Sequence, residues 1–187
     1  MFSGNGTNLK IKLLTDIMDP KRLAREFYVR DVLVVAPELP GKYMVIKLPD
    51  GSLTRFKVTE VEAYRGAEDQ ACHAYKGRTS RTEIMYSEGG SLYIYLIYGM
   101  YWMLNIVTGG KDNPQAVLIR GVEDHPGPGI LTKSLGINKS FYGEDLVESQ
   151  RIWFEDRGLV QPVKNGPRIG IDYAGEYWKS RPWRYFL

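Results

Sequence analysis

The sequence predicts an α+β fold in a single mixed domain, and three observations lead to it. The chain has 187 residues, a length that fits one domain. Its 43% hydrophobic and 25% charged residues are typical of a globular protein rather than a disordered one. Segments with strand character outnumber helical ones and are not regularly separated by helices, which disfavours a parallel α/β sheet. We expect one domain over residues 1–187, with residues 1–20 as an N-terminal extension.

The first predicted segments are short. Asp19 followed by Pro20 matches the N-cap and first position of a helix, which we expect to continue to Tyr28. The apolar run from Val32 to Val35 ends near Pro37 and predicts a short strand. Further strands are predicted at 42–48, 53–63, 91–97, 101–107, 115–122, 151–155 and 168–172.

Turn and loop residues connect these strands. Residues 49–52, Pro-Asp-Gly-Ser, carry the turn chemistry of a β-hairpin. Residues 65–88 contain glycines and many polar residues, so we expect a loop with one short helix at most. A helix is predicted at 127–137, where proline and glycine open an apolar segment.

The composition limits the possible sites. The net charge of +3 is too small to indicate a nucleic-acid partner by itself. One cysteine and two histidines are too few for a zinc finger or a disulfide framework, so we expect no metal site. The uncharged run at 89–110 is long enough to cross a bilayer, but its four tyrosines predict buried strands and no membrane association.

One predicted strand becomes acidic towards its end. In a regular strand Phe56, Val58, Glu60, Glu62 and Tyr64 share one face, which changes from apolar to acidic. A carboxylate at this end could lie in a cleft, where it could take a proton from water or stabilise a cation. The same pattern also fits two solvent-exposed glutamates, because charged residues are mostly exposed.

The segments after this strand contain further candidates. His73 follows Cys72, but adjacent side chains usually point apart, so a nucleophile–base pair is disfavoured. Tyr93 and Tyr95 share a strand face, while Tyr98 breaks this alternation just before a glycine. The glycine permits a sharp bend, so Tyr98 could project as a wedge. Tyrosine suits both an aromatic core and stacking on a base, and both interpretations remain open here.

Taken together, these segments resemble the alkyladenine (3-methyladenine) DNA glycosylase family of the mammalian type. The resemblance is carried by Val61-Glu62-Ala63-Tyr64, Glu68-Asp69, His73, Gly77-Arg78, the run from Leu92 to Tyr101, and Asn105. It continues at 116–120, 136–140, 167–171, 175–176 and 181–182. It begins near Glu26 and covers most of the chain, in the family's order and spacing.

The resemblance implies a curved antiparallel β-sheet surrounded by short helices. It implies a monofunctional base-excision repair enzyme that flips alkylated or deaminated purines out of double-stranded DNA. A water molecule activated by glutamate then hydrolyses the N-glycosidic bond without strand cleavage. The substrate class includes 3-methyladenine, 7-methylguanine, hypoxanthine and ethenoadenine, and no cofactor or metal is needed. We expect a monomer, cytoplasmic (nucleoid) in a prokaryote and nuclear in a eukaryote.

The resemblance also assigns roles around the reacting base. Glu62 matches the residue that activates the hydrolytic water. Arg120 matches a residue near the pocket that helps hold this water or the nucleotide backbone. Tyr64, His73 and Tyr95 match the residues that sandwich the flipped base.

Further positions match residues that select the base or contact DNA. Asn105 matches the pocket residue that disfavours the guanine amino group, and Tyr98 matches the tyrosine that enters the minor groove. The loop after His73 is one residue shorter than in mammalian members. Within it Arg78 and Arg81 have the charge needed for phosphate contacts.

Three other functions fit parts of the sequence. A damage-binding protein would use the same stacking residues without cutting, with Glu62 as a structural acid. The Pro-Gly-Pro-Gly-Ile segment at 126–130 suggests a helix-hairpin-helix DNA protein, although Pro128 removes one amide donor. Glu60 and Glu62 suggest a carbohydrate hydrolase, in which an aromatic wedge would have no role.

Overall fold

Ten strands organise residues 20–187, the part of the chain that the computed structural model describes. They are β1 (Lys21–Arg22), β2 (Tyr43–Lys47), β3 (Leu53–Tyr64), β4 (Leu92–Ile97), β5 (Tyr101–Thr108), β6 (Gln115–Val122), β7 (His125–Pro126), β8 (Ile152–Asp156), β9 (Lys164–Gly166) and β10 (Arg184–Phe186). The main path runs β1-β8-β2-β3-β6-β5-β4 with antiparallel neighbours. In addition, β7 pairs with β6, and β10 pairs with both β3 and β9.

Short helices accompany the sheet. The α-helices are α1 (Arg25–Tyr28), α2 (Val32–Glu38), α3 (Pro128–Ser134) and α4 (Glu176–Lys179). Single 3₁₀ turns lie at Gly66–Glu68, His73–Lys76, Glu83–Tyr86, Lys139–Phe141 and Asp172–Ala174. A mostly antiparallel sheet with a few short helices confirms the predicted α+β class and single domain. None of the described helices is long and apolar enough to span a membrane.

The core fills the space between the sheet and helices α1–α3. Tyr28, Leu39, Leu104, Ile119 and Leu131 are among its fully buried members. Each large apolar side chain buried in this way contributes about 1.5–3 kcal/mol relative to exposure. This core fixes the sheet that carries the candidate site on its other face.

Several predicted elements are confirmed within one or two residues of their bounds. These are the strands predicted at 42–48, 53–63, 91–97, 101–107, 115–122 and 151–155. The predicted loop at 65–88 contains three 3₁₀ turns rather than one helix, and the helix predicted at 127–137 covers only Pro128–Ser134. The helix predicted from Asp19 covers only Arg25–Tyr28 in the described residues, which exclude Asp19 itself.

The strand predicted at Val32–Val35 is wrong, because this segment begins helix α2. The carboxylate of Asp31 caps the helix by accepting from the backbone N–H of Leu33 at 2.9 Å. Val32, Val35 and Ala36, spaced as one helical face, are fully buried. The β-branched composition favoured a strand, but the cap and the packing determine the structure.

The strand predicted at 168–172 is also wrong. Its polar groups bond to side chains instead of a neighbouring strand: the N–H of Ile169 donates to Glu62, and Arg168 turns inward to Asp69. The nearby strand is instead β9, which pairs with β10.

A β-bulge in β3 changes which residues face the core. The register between β3 and β6 shifts on both sides of Glu60, so that Arg120 on β6 has no paired residue on β3. Val58 lies in the core before the bulge, and Val61 and Ala63 lie in it afterwards. The expectation that positions 56 to 64 alternate regularly is therefore wrong. The bulge turns Glu62 away from the apolar core.

Candidate active site

An open cleft of about 1030 Å³ lies where β3 ends beside strands β4–β6. The segments at 70–82 and 169–173 and the start of helix α3 at 127–130 complete its walls. Eight of the lining residues have aromatic rings: Tyr64, His73, Tyr75, Tyr93, Tyr95, Tyr98, Tyr101 and Tyr173. An aromatic cleft with a few polar groups is suited to hold a flat, partly polar ligand.

Glu62 lies fully buried behind the cleft wall. Its Oε1 accepts from the N–H of Ile169 at 2.7 Å, and its Oε2 accepts from the Tyr64 hydroxyl at 2.8 Å. The Arg120 guanidinium lies 3.4 Å from Oε1. These contacts occupy about three of the four acceptor positions of the carboxylate, which leaves one position that can accept a further hydrogen bond.

The environment of Glu62 opposes its ionisation. Burial raises the pKa of this carboxyl above its usual value, and the charge of Arg120 and the bonds from Ile169 and Tyr64 partly offset the rise. A carboxylate with a raised pKa is a stronger base than a free one. The geometry therefore favours general-base chemistry at this position.

Arg120 bridges two carboxylates opposite the bulge. Its Nε donates to Glu60 at 3.0 Å while its Nη1 contacts Glu62, and Arg184 also donates to Glu60 at 3.1 Å. Two arginines therefore hold Glu60. It is not placed as the second acid of a carbohydrate hydrolase, and that alternative is disfavoured.

Tyr64 is held from behind by a buried ion pair. Arg168 and Asp69 are both fully buried and joined by bonds of 2.5 and 2.9 Å. The Arg168 guanidinium lies 4.8 Å from the centre of the Tyr64 ring and 5.0 Å from that of Trp183. This arrangement fixes the ring of Tyr64, and burial raises its hydroxyl pKa so that it stays protonated as a donor to Glu62.

His73, Tyr93 and Tyr95 form an aromatic group on the cleft wall. The ring centres of His73 and Tyr95 are 4.5 Å apart, and Nδ1 of His73 is hydrogen-bonded to the Tyr93 hydroxyl at 2.8 Å. Burial, helped by the charge of Arg81, lowers the pKa of His73 to about 4. The imidazole is therefore neutral at physiological pH. Neighbouring Cys72 is buried, which raises its thiol pKa to about 11 and disfavours a nucleophilic role.

Asn105 is 3% exposed and forms part of the cleft floor. Its amide nitrogen donates to the backbone carbonyls of Tyr93 and Met103 at 3.1 and 3.2 Å. Both amide hydrogens are therefore used, which fixes the orientation of the side chain. Its Oδ1 is the atom that can contact a ligand.

Tyr98 projects from the tip of the β4–β5 hairpin. It is 82% exposed and has a φ of +53°, a conformation that is rare for a bulky residue. Gly99 follows with a φ of +69°, as its sharp bend requires. A strained, exposed aromatic residue at a cleft edge is suited to insertion into another molecule.

The two predicted phosphate-binding arginines differ in their surroundings. Arg78 is bonded to Asp112, contacts Glu83 at 3.6 Å and covers the ring of Tyr86, outside the cleft lining. Arg81 instead lines the cleft and contacts His73. Only Arg81 is therefore directed at the aromatic wall.

The structure brings most of the predicted site residues together. Around the cleft lie Glu62, Tyr64, His73, Tyr95, Tyr98, Asn105, Arg120 and Arg81. Sequence reasoning gave no role to Asp69, Arg168 or Ile169, although each belongs to a motif that carries the family resemblance. The helix-hairpin-helix alternative is disfavoured, because the element directly before α3 in the described chain is strand β7 rather than a helix.

Comparison with known proteins identifies the family. A family model described as methylpurine-DNA glycosylase (MPG) matches residues 26–126 and 124–187. A protein named "Putative 3-methyladenine DNA glycosylase" from Desulfitobacterium hafniense is 40% identical over 195 residues, covering 89% of this chain and 95% of that protein. Proteins of the same name from Psychrobacter cryohalolentis and Methanocella arvoryzae are 40% identical over 179 and 184 residues. These matches cover 80% and 88% of this chain, and 84% and 91% of the two relatives.

The chain belongs to the methylpurine-DNA glycosylase family. It is thereby a DNA glycosylase, one of the hydrolases of base excision repair. None of the three relatives named above is mammalian, so the mammalian subtype stays a prediction.

Proposed function

We propose that the protein removes alkylated or deaminated purines from duplex DNA by hydrolysing the N-glycosidic bond. The substrate class comprises 3-methyladenine, 7-methylguanine, hypoxanthine and ethenoadenine. Family membership and the relatives' name support the glycosylase activity. The mechanism rests on the position of Glu62, which lies fully buried behind the aromatic cleft. Burial raises the pKa of its carboxyl group.

Recognition begins when the damaged base leaves the helix. Flipping costs a few kcal/mol, least for a damaged base that pairs poorly. Tyr98 enters the minor groove and fills the vacated space. The flipped base stacks between Tyr64 and the His73–Tyr95 pair, and Asn105 excludes the amino group of normal guanine. Cationic purines gain from the electron-rich rings.

Hydrolysis requires one water molecule. As the bond between the sugar C1′ and the purine nitrogen breaks, its electron pair moves to the base and the sugar becomes cationic. The negative charge of Glu62 stabilises this cation, and Glu62 takes a proton from the water that attacks C1′. The products are the free base and an abasic site: a cationic purine leaves as the neutral base, and a neutral purine leaves as an anion that takes a proton from solvent. Arg120 holds the carboxylate in place, and its positive charge increases the fraction of protein molecules in which Glu62 is ionised.

The remaining expectations concern partners and setting. Arg78 and Arg81 contact DNA phosphates, no cofactor takes part, and the protein acts as a monomer. It works in the cytoplasm, at the nucleoid, if the source is a prokaryote, and in the nucleus if it is a eukaryote. The DNA strand stays intact, although Lys76 on the cleft lining carries an amine of the kind that forms Schiff bases.

The test uses end-labelled duplexes that carry one hypoxanthine, ethenoadenine or 7-methylguanine, with an undamaged duplex as control. Each is incubated with the protein and divided in two, and one half is treated with hot alkali to cleave abasic sites. We expect bands only on damaged strands and only after alkali. Borohydride, which traps Schiff bases, should give no covalent complex.

Other outcomes separate the alternatives. Bands before alkali, together with a borohydride complex that Lys76→Ala abolishes, would contradict the monofunctional mechanism. Tight binding of damaged duplexes with no abasic product would identify a damage-binding protein instead. If the protein neither binds nor cleaves a duplex with any of the three lesions, the proposal is overturned.

A further inference from the structure

The side chain of Arg81 covers the aromatic wall of the cleft. Its Nη2 lies 3.1 and 3.0 Å from the two ring nitrogens of His73, and its Nε donates to the Tyr93 hydroxyl at 3.3 Å. Its guanidinium carbon is 5.1 Å from the centre of the Tyr95 ring. The guanidinium therefore lies on the rings proposed to bind the flipped base.

A purine in this position would need the same contacts. It would stack on the rings of His73 and Tyr95, against which the Arg81 guanidinium now lies. A guanidinium is a flat cation, and a purine in DNA that is methylated at N3 or N7 is one too. The two groups therefore cannot occupy the wall together, and Arg81 must move before a base can bind.

Arg81 is placed to move at small cost. Within residues 20–187 no carboxylate lies within ion-pair distance of it, whereas Arg78 on the same loop pairs with Asp112 and Glu83. Its side chain is exposed at the cleft mouth, so its movement breaks only the contacts with His73, Tyr93 and Tyr95. A DNA phosphate would offer the displaced guanidinium a charged partner that the free protein lacks.

We propose that Arg81 is a specificity-determining residue whose guanidinium occupies the cation site of the cleft and competes with cationic bases more strongly than with neutral ones. This inference rests on the proposed glycosylase function. A cationic base competes for the same ring faces and is also repelled by any guanidinium that stays nearby. A neutral base such as hypoxanthine meets only the steric competition.

The lowered pKa of His73 agrees with this position of Arg81. A cation within hydrogen-bond distance disfavours a second positive charge on the imidazole, in addition to the effect of burial. The titratable hydroxyls that also face the ring, those of Tyr93 and Tyr95, have pKa values raised by burial and stay neutral. Arg81 therefore carries the charge that acts directly on the pKa of His73.

The test compares the excision of two bases by three proteins. Single-turnover rates are measured on duplexes with one cationic 7-methylguanine or one neutral hypoxanthine, for wild type, Arg81→Gln and Arg78→Gln. We expect Arg81→Gln to raise the ratio of 7-methylguanine to hypoxanthine rates about fivefold, since a nearby charge repels the cationic base. Arg78→Gln removes an equal charge from the same loop outside the cleft, so it should lower both rates equally and keep the ratio.

A second readout needs no activity. The chain has two histidines, so the imidazole signals are readily assigned in NMR spectra with a His125→Asn variant. The pKa of His73 should rise by about one pH unit in Arg81→Gln and stay unchanged in Arg78→Gln.

The outcomes separate this inference from the proposed function. An active wild type with an unchanged ratio in Arg81→Gln, or an unchanged His73 pKa in that variant, would overturn the role of Arg81 alone. A wild type that excises neither base would overturn the proposed function, and the specificity role with it.

Discussion

Asp69→Asn removes the negative charge that balances Arg168 inside the protein. Both side chains are fully buried, and bonds of 2.5 and 2.9 Å join them. The substitution keeps the size of the side chain but leaves a guanidinium buried without a counter-charge. Breaking a buried pair in this way costs about 3–5 kcal/mol in the free energy of unfolding, because the remaining ion is not rehydrated.

The expected effect is large enough for a thermal melt. Each kcal/mol lowers the melting temperature of a domain of this size by about 2–4 °C, which gives a loss of about 6–20 °C. Excision should also slow at temperatures where the variant is folded, because Arg168 lies against the ring of Tyr64.

The control is the same substitution at a surface pair. Asp172 contacts Lys179 at 2.5 Å and both side chains are exposed to solvent, so Asp172→Asn should melt like the wild type. If Asp69→Asn also melted within about 1 °C of wild type, the buried ion pair would not stabilise the fold as proposed.

Three further changes test single parts of the site. Because burial raises the pKa of Glu62 and the base must be ionised, excision should decline at a higher pH than the usual glutamate pKa when the pH falls. Arg120 lowers the pKa of Glu62, so Arg120→Met should move this decline to a still higher pH in a pH–rate profile. Tyr98→Ala should melt like the wild type, because the ring is 82% exposed, yet bind lesion DNA about tenfold more weakly in gel-shift titrations. EDTA should leave the excision rate unchanged, since no step of the proposed mechanism uses a metal. A decline at the usual glutamate pKa, full lesion binding by Tyr98→Ala, or inactivation by EDTA would contradict the respective assignment.

The sequence predicted most of the sheet because its longer strands are apolar or alternating segments bounded by turn residues. The segment at Val32–Val35 was misassigned, since four apolar residues contain too little periodicity to separate a strand from a helix. What decides it is the cap from Asp31 and the burial of one helical face, and burial depends on the rest of the fold.

The candidate site was only partly predictable for a similar reason. The projection of Tyr98 followed from a local break in alternation beside a glycine, and the structure shows an exposed ring with a positive φ. The bulge before Glu62 has no clear local signature. The contact from Ile169 to Glu62 spans 107 positions, and the pair of Arg168 with Asp69 spans 99. Such distant contacts are set by the packing of the whole domain.

In the proposed mechanism, Glu62 activates the water that releases the base. The most direct measurement compares single-turnover excision of hypoxanthine by wild type, Glu62→Gln and Glu60→Gln, with binding of the same duplex measured alongside. Glu60→Gln is the matched control, because Glu60 lies on the same strand and shares Arg120.

We predict that Glu62→Gln binds the duplex like the wild type but loses excision by at least about a hundredfold, the scale of a lost general base. Glu60→Gln should keep most of its activity. Excision by Glu62→Gln within about threefold of the wild-type rate, at equal binding, would contradict the account, because a general base contributes far more than that.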